Sequence, residues 1–154
     1  AEQQLAVVFL DLDNFKPIND AYGHAYGDIV LKILAERLTN LLDPGELCCR
    51  FGGDEFVILL DSINSINDAK DISERVIQTI SQSYKLGSVE FNSGASIGIT
   101  VSGNHKFDTS ESMLRNADMA MYQAKANGKG DGQWQRAMVY IKKGIVLRLL
   151  EKYL

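Results

Sequence analysis

Two acidic points stand out in the chain, Asp11-Leu12-Asp13 at the end of an apolar run and Asp54-Glu55 directly after Gly52-Gly53. Two hard carboxylates such as Asp11 and Asp54, brought to one sheet edge, suit Mg²⁺ or Mn²⁺, which prefer oxygen ligands and are commonly shared with the phosphates of a substrate. A lone Asp at a strand end more often caps a turn or a helix, so the metal reading depends on the two meeting. Gly52 and Gly53 lack a Cβ and so let backbone approach a bulky ligand, although a Gly-Gly pair alone is simply a hairpin turn. The stretch Asp11-Leu12-Asp13-Asn14-Phe15-Lys16 is not a calcium loop. An EF-hand needs Gly at its sixth position and Glu at its twelfth, where this chain has Lys16 and Tyr22. It reads instead as strand, turn and helix start, whose free backbone N–H groups can bind phosphate oxygens.

Particular elements must bring these residues together. Leu5 to Leu10 is continuously apolar with β-branched members, as in a central strand buried on both faces, and it leaves Asp11 and Asp13 at the strand's end. Leu47 to Phe51 and Phe56 to Leu60 read as short strands around Gly52-Gly53-Asp54-Glu55, which places the acidic tip on a β-hairpin. From Ala25, apolar residues Ile29, Val30, Ile33, Leu34, Leu38 and Leu41 recur at helical spacing until Asp43-Pro44-Gly45. Ile66, Ala69, Ile72, Val76, Ile77 and Ile80 mark a second long helix, whereas Ala95, Ile97, Ile99 and Val101 alternate with Ser96, Gly98 and Thr100 as in a strand. Asp108 and Glu111 resemble a capping box before a third helix, which carries Met113, Ala117, Met121 and Ala124 and has Gly128 as its C-terminal cap. A short strand near Gln133 to Gln135 precedes a final helix expected from Tyr140, Ile141, Ile145, Leu149 and Tyr153. The order predicts an α/β or α+β domain with helices packed on a mixed sheet.

Composition narrows the partners. A length of 154 residues with 45% apolar content is enough for one buried core. With 16 basic against 20 acidic residues, the net charge of -4 supplies no positive field to gather nucleic acid. A single nucleotide differs, because a few local lysines and a metal ion can hold a triphosphate on an acidic protein. Cys48 and Cys49 are neighbours in a strand-like segment, their side chains pointing to opposite faces, which argues against a disulfide framework. No apolar run approaches the roughly 18 residues that span a bilayer, and no secretory pattern opens the chain, so direct membrane insertion is not expected and the cytoplasm is the default location. The abrupt start at Ala1 inside structured sequence suggests a fragment of a larger protein.

The segments FLDLDNFKPINDAYGHAYGD, RFGGDEF, SIGIT and ADMAMYQAKANGKG follow the order and approximate spacing of the GGDEF domain family, and the chain resembles that family from Leu5 to about Gly130. The resemblance implies a central mixed five-stranded sheet wrapped by helices, related to the polymerase palm and the class III adenylyl cyclase core, with the signature on a hairpin tip. It implies a diguanylate cyclase, which joins two GTP into cyclic di-GMP with release of two pyrophosphates, using two Mg²⁺ or Mn²⁺ ions per site and a homodimer of domains.

Position by position, the resemblance makes Asp11, Asp54 and the Leu12 carbonyl metal ligands. Asp54 and Glu55 are the catalytic acids. Asn14, Phe15 and Lys16 form the phosphate-binding turn, with Gly52 and Gly53 at the GTP. Asn19 and Asp28 read the guanine edge, a sensible device because a carboxylate can accept from a ring N–H and an exocyclic amine that adenine does not present together. Lys125 and Lys129 contact the triphosphate; outside this motif they would be ordinary solvated lysines. The family usually has Arg then Asn where this chain has Lys129-Gly130, which weakens that contact, since Lys offers a point charge and not a fork. Where many members carry an inhibitory Arg-x-x-Asp, this chain has Asp43-Pro44-Gly45-Glu46, so no inhibitory product site is expected.

Residues 1–135 are assigned to the domain and residues 136–154 to a C-terminal helix or linker. Because Gln133-Trp134-Gln135 through Leu154 resembles the linker that joins GGDEF to EAL phosphodiesterase domains, a second function stays open: a GTP-binding regulatory module of an attached EAL domain.

Overall fold

The computed structural model describes residues 4–13, 15–101, 110–127, 134–141 and 148–153. The chain opens with β1 (Gln4–Asp13), then α1 (Lys16–Tyr22) and α2 (His24–Leu41). The two helices are separated by Gly23, whose φ of 91° a residue with a Cβ adopts only with strain. The hairpin β2 (Leu47–Gly52) and β3 (Glu55–Ile63) follows, then α3 (Ile66–Ser81), the short hairpin β4 (Tyr84–Leu86) and β5 (Val89–Phe91), β6 (Gly94–Val101), α4 (Ser110–Asn127), β7 (Trp134–Ile141) and β8 (Arg148–Tyr153). The main sheet has the order β2-β3-β1-β6-β7-β8, and β4-β5 forms a separate two-stranded sheet. β1 is antiparallel to both β3 and β6, while β6 and β7 run parallel. The sheet is therefore mixed, as expected, with helices on both faces.

Alternation along β1 sorts its residues between two layers. Ala6, Val8, Leu10 and Leu12 join the larger core with Val30, Leu34 and Leu38 of α2 and Val76, Ile77 and Ile80 of α3. Val7 and Phe9 face the other way, against Met113, Ala117 and Met121 of α4. Burying each such side chain fully contributes about 1.5–3 kcal/mol, so the central strand anchors both layers. On β6, Ile97 and Ile99 fill the first layer and leave Ser96, Gly98 and Thr100 under α4. Gly98 is required there, because an added Cβ would overlap the Ala117 carbonyl oxygen and the Met121 backbone nitrogen. Helix backbone thus lies directly on the sheet.

The β4-β5 hairpin, which sequence periodicity did not reveal, braces α2. Tyr26 Oη donates to the Leu86 carbonyl at 2.7 Å, and Arg37 donates to the Gln82 and Ser83 carbonyls at 2.9 and 2.7 Å while lying 4.3 Å from the Tyr84 ring centroid.

Two expectations are corrected. Among the described residues the main sheet has six strands where five were expected, its class unchanged, and β7 and β8 stand at residues 134–141 and 148–153 where a final helix was expected. The spacing of Tyr140, Ile141, Ile145 and Leu149 fits a helix, but Trp134 to Ile141 is also rich in β-formers, and the free edge of β6 pairs with it from Ser96↔Arg136 to Val101↔Ile141. The proposed capping residues Asp108 and Gly128 lie outside the described residues. Cys48 packs beside the larger core and Cys49 is exposed; both are free thiols.

Candidate active site

Asp11 and Asp13 continue the Val7 and Phe9 row of β1, so both carboxylates emerge on the α4 side of the sheet where the apolar layer ends. Antiparallel pairing aligns Asp11 with Glu55 on one neighbour and Ser96 on the other. The hairpin tip is tied to the same point, because the Leu12 N–H donates to the Asp54 carbonyl at 3.3 Å. From α4, Lys125 Nζ donates to Asp11 Oδ2 at 2.8 Å. Asp11 and the turn that carries Asp54 therefore lie at the same end of the sheet.

The electrostatics follow from burial. Asp11 is 9% exposed, and desolvation pushes its pKa up to about 6; the nearby Asp54 charge adds to the rise and Lys125 opposes it. Burial also raises Asp13, against a 2.9 Å hydrogen bond from Ser96 Oγ and the Lys125 charge. Glu55 is raised by desolvation and then by the charges of Asp118 and Asp54. Desolvation would lower Lys125, but its hydrogen bond with Asp11 and the surrounding carboxylates outweigh that and hold its pKa above the usual value. Among the described residues, Lys125 is the cation that acts on these acids, which leaves the cluster short of positive charge.

This donor set fits a small divalent ion. Among the described residues, Asp11 Oδ1 is buried with no hydrogen-bond partner, a costly state for a carboxylate oxygen that a hard cation would relieve. Among the described residues no group of three or more His, Cys, Asp or Glu is placed to hold a metal. Mg²⁺ does not need one, since it usually takes one or two carboxylates and completes its shell with water and substrate phosphates.

Gly53 and Asp54 form the turn of the β2-β3 hairpin. Gly53 has φ 45°, a left-handed conformation that favours glycine, and neither Gly52 nor Gly53 has an atom within 4 Å of where a Cβ would stand. The tip is open to a ligand. Arg50 Nε donates to the Gly53 carbonyl at 2.7 Å and holds the turn closed.

On the other face of the sheet, Phe15 is buried and ends the β1-α1 connection, with Lys16 exposed at the first position of α1. Pro17 follows it and has no N–H to offer a phosphate. Asn19 of α1 is half-buried and packs against Gly27 of α2. Asp28, next in α2, is exposed on a cleft of about 340 Å³ that Lys32, Arg50 and Phe56 also line. Asp28 and the signature hairpin thus share one opening. Asn14 and Lys129 lie outside the described residues. Asp43 and Glu46 sit in the turn before β2, where the Asp43 N–H donates to Glu46 Oε1 at 2.7 Å.

Sequence reasoning assigned no role to Asp13, Ser96, Arg50 or Asp118. Asp13 was legible from its period-two spacing to Asp11, and Asp118 from its seven-residue spacing to Lys125 on one helix face. The inward turn of Ser96 depends on β6 lying beside β1.

Residues 1–131 match the family model described as "Diguanylate cyclase, GGDEF domain". The chain is 42% identical over 130 residues to the diguanylate cyclase TpbB of Pseudomonas aeruginosa, covering 83% of this chain and 29% of that protein. It is 44% identical over 124 residues to the diguanylate cyclase DgcP of Escherichia coli, covering 79% and 36%. Against the cyclic di-GMP phosphodiesterase PdeR of Escherichia coli it is 37% identical over 127 residues, covering 82% and 19%. The chain spans 19% to 36% of the length of these three relatives. Its fold matches the solved GGDEF domain of PA1120 (YfiN or TpbB) from Pseudomonas aeruginosa with a TM-score of 0.78 at 40% identity, over 88% of this chain and 82% of that one. An EAL/GGDEF domain protein from M. capsulatus matches with a TM-score of 0.74 at 38% identity, over 81% and 80%. With its signature on the hairpin tip, its acids gathered at the end of β1 and a family match over most of its length, the chain belongs to the diguanylate cyclase GGDEF domain family.

Proposed function

We propose that this domain is a diguanylate cyclase module that binds one GTP and, paired with a second domain, condenses two GTP into cyclic di-GMP. The observation that supports it most is the junction of Asp11, Asp54 and Lys125 at one sheet end, with Asp54 on the same hairpin that lines the Asp28 cleft through Arg50 and Phe56. In this reading Asn19 and Asp28 hold the guanine edge, and Phe15, Lys16, Lys125 and, with Asn14, Lys129 hold the triphosphate. Bound by Asp11, Asp54 and the Leu12 carbonyl, one or two Mg²⁺ or Mn²⁺ ions would polarise the phosphate and ease ionisation of the attacking hydroxyl.

The 3'-hydroxyl of one GTP attacks the α-phosphate of the other. An O–P bond forms as the bond to pyrophosphate breaks, and the hydroxyl proton leaves through Asp54. Glu55 supports Asp54 from the first position of β3, and Lys125 offsets charge developing on the triphosphate. Each domain holds one nucleotide, so reaction requires two domains face to face across a two-fold axis. Purified domain, forced into a dimer and supplied with GTP and Mg²⁺, should release cyclic di-GMP and pyrophosphate detectable by mass spectrometry. Asp54→Ala should abolish turnover with the fold intact; retained turnover would remove Asp54 from this role.

A second reading is favoured by the likeness to PdeR, named a cyclic di-GMP phosphodiesterase, and to an EAL/GGDEF protein. The domain would then bind GTP and regulate an EAL domain attached in the same parent chain. GTP binding without product in the forced dimer would select this reading.

A further inference from the structure

We propose that Gly27 is a specificity-determining positioning residue, which sets the Asn19 amide beside Asp28 for recognition of a 2-amino-6-oxopurine. The inference rests on the reading of Asn19 and Asp28 as the guanine-binding pair. Gly27 lies in the first turns of α2 and is buried. Glycine weakens a helix relative to alanine, and Gly27 is not among the glycines with positive φ, so backbone conformation does not account for it. Space does. A Cβ built at Gly27 would overlap Asn19 Oδ1, and would stand 2.9 Å from Asn19 Cγ and 3.1 Å from Phe15 Cζ.

The bare surface of Gly27 is thus the floor on which the Asn19 amide rests. The Asn19 backbone is fixed independently, because its carbonyl accepts a 2.8 Å hydrogen bond from the Gly23 N–H. The main chain is fixed while the amide lies over Gly27, so a methyl there would turn the amide aside from its place near Asp28, which follows Gly27 directly in the helix. An acceptor carboxylate and an amide held at fixed separation match the ring N–H, exocyclic amine and carbonyl of guanine. The Phe15 ring rests on the same floor, so Gly27 also couples the base-reading pair to the turn before α1.

A mutant cycle tests this. In urea unfolding without ligand, Gly27→Ala should lower the midpoint, and Asn19→Ala should remove most of that loss by vacating the space. In calorimetry with Mg²⁺, Gly27→Ala should weaken GTP binding at least 10-fold with little change for ATP, and should add nothing in the Asn19→Ala background. If Gly27→Ala alone does not fold, folding of the double variant meets the expectation and its failure to fold contradicts it. An additive stability cycle would overturn the contact, and equal losses for GTP and ATP would overturn the specificity role. If the unaltered domain bound GTP no better than ATP, the guanine reading would fall and take that role with it, whatever the stability cycle showed.

Discussion

Lys125 Nζ and Asp11 Oδ2 lie 2.8 Å apart across 114 residues of sequence, joining the last turn of α4 to the end of β1. The bond couples the two layers of the α4 side to the metal-ligand candidates: any shift of α4 on the sheet changes the charge facing Asp11. Lys125 is 44% exposed at its side chain and Asp11 only 12%, so the acid carries most of the desolvation.

That burial has a measurable sign. The pKa of Asp11 is raised from 3.8 to about 6, so folding favours its protonated form. The resulting stabilisation is fully present below about pH 4 and is lost as pH rises through about 6. At pH 7 without divalent metal, Asp11→Asn should therefore be more stable than the unaltered domain by on the order of 2 kcal/mol. The difference should shrink toward pH 4 in urea titrations. A difference independent of pH would contradict the burial account.

Gly98→Ala should destabilise the domain by about 1–3 kcal/mol, because the new methyl meets α4 backbone, which cannot rotate aside as a side chain can. The same variant should lower cyclic di-GMP synthesis by displacing Lys125 from Asp11. Denaturation and a product assay on one preparation check both, and full stability would show that α4 has room to lift.

Arg37→Met should cost about 1–2 kcal/mol, through loss of the bonds to the Gln82 and Ser83 carbonyls and the contact with the Tyr84 ring. Hydrogen exchange should speed up in β4 and β5 before it does in β1. Unchanged exchange there would mean that Tyr26 alone fastens the hairpin to α2.

Cyclic di-GMP should not inhibit noncompetitively through the turn before β2. Asp43 and Glu46 are both acidic and would repel a dianion, and Glu46 is already engaged with the Asp43 N–H. Steady-state kinetics with added product should show at most competition with GTP. Noncompetitive inhibition that disappears in Asp43→Ala would overturn this.

Much of the site was legible in the sequence because its residues lie where local patterns change. Apolar continuity from Leu5 to Leu10 stops at Asp11, and a left-handed glycine at Gly53 marks the turn that carries Asp54. Helical spacing identified the core faces of α2, α3 and α4, since each repeats over several turns. These signals are local: side-chain periodicity and turn chemistry need no distant partner.

Tertiary structure decided the rest. The three-residue strands β4 and β5 are too short to show alternation and exist by pairing with each other. Residues 134–141 carry a pattern that suits helix or strand, and the open edge of β6 selects the strand. The raised pKa of Asp11, the reach of Lys125 and the close seat of Asn19 on Gly27 all arise between segments far apart or separated by a turn. Desolvation and close packing depend on what the fold places beside a residue, whereas the sequence by itself determines only what that residue can do once it is there.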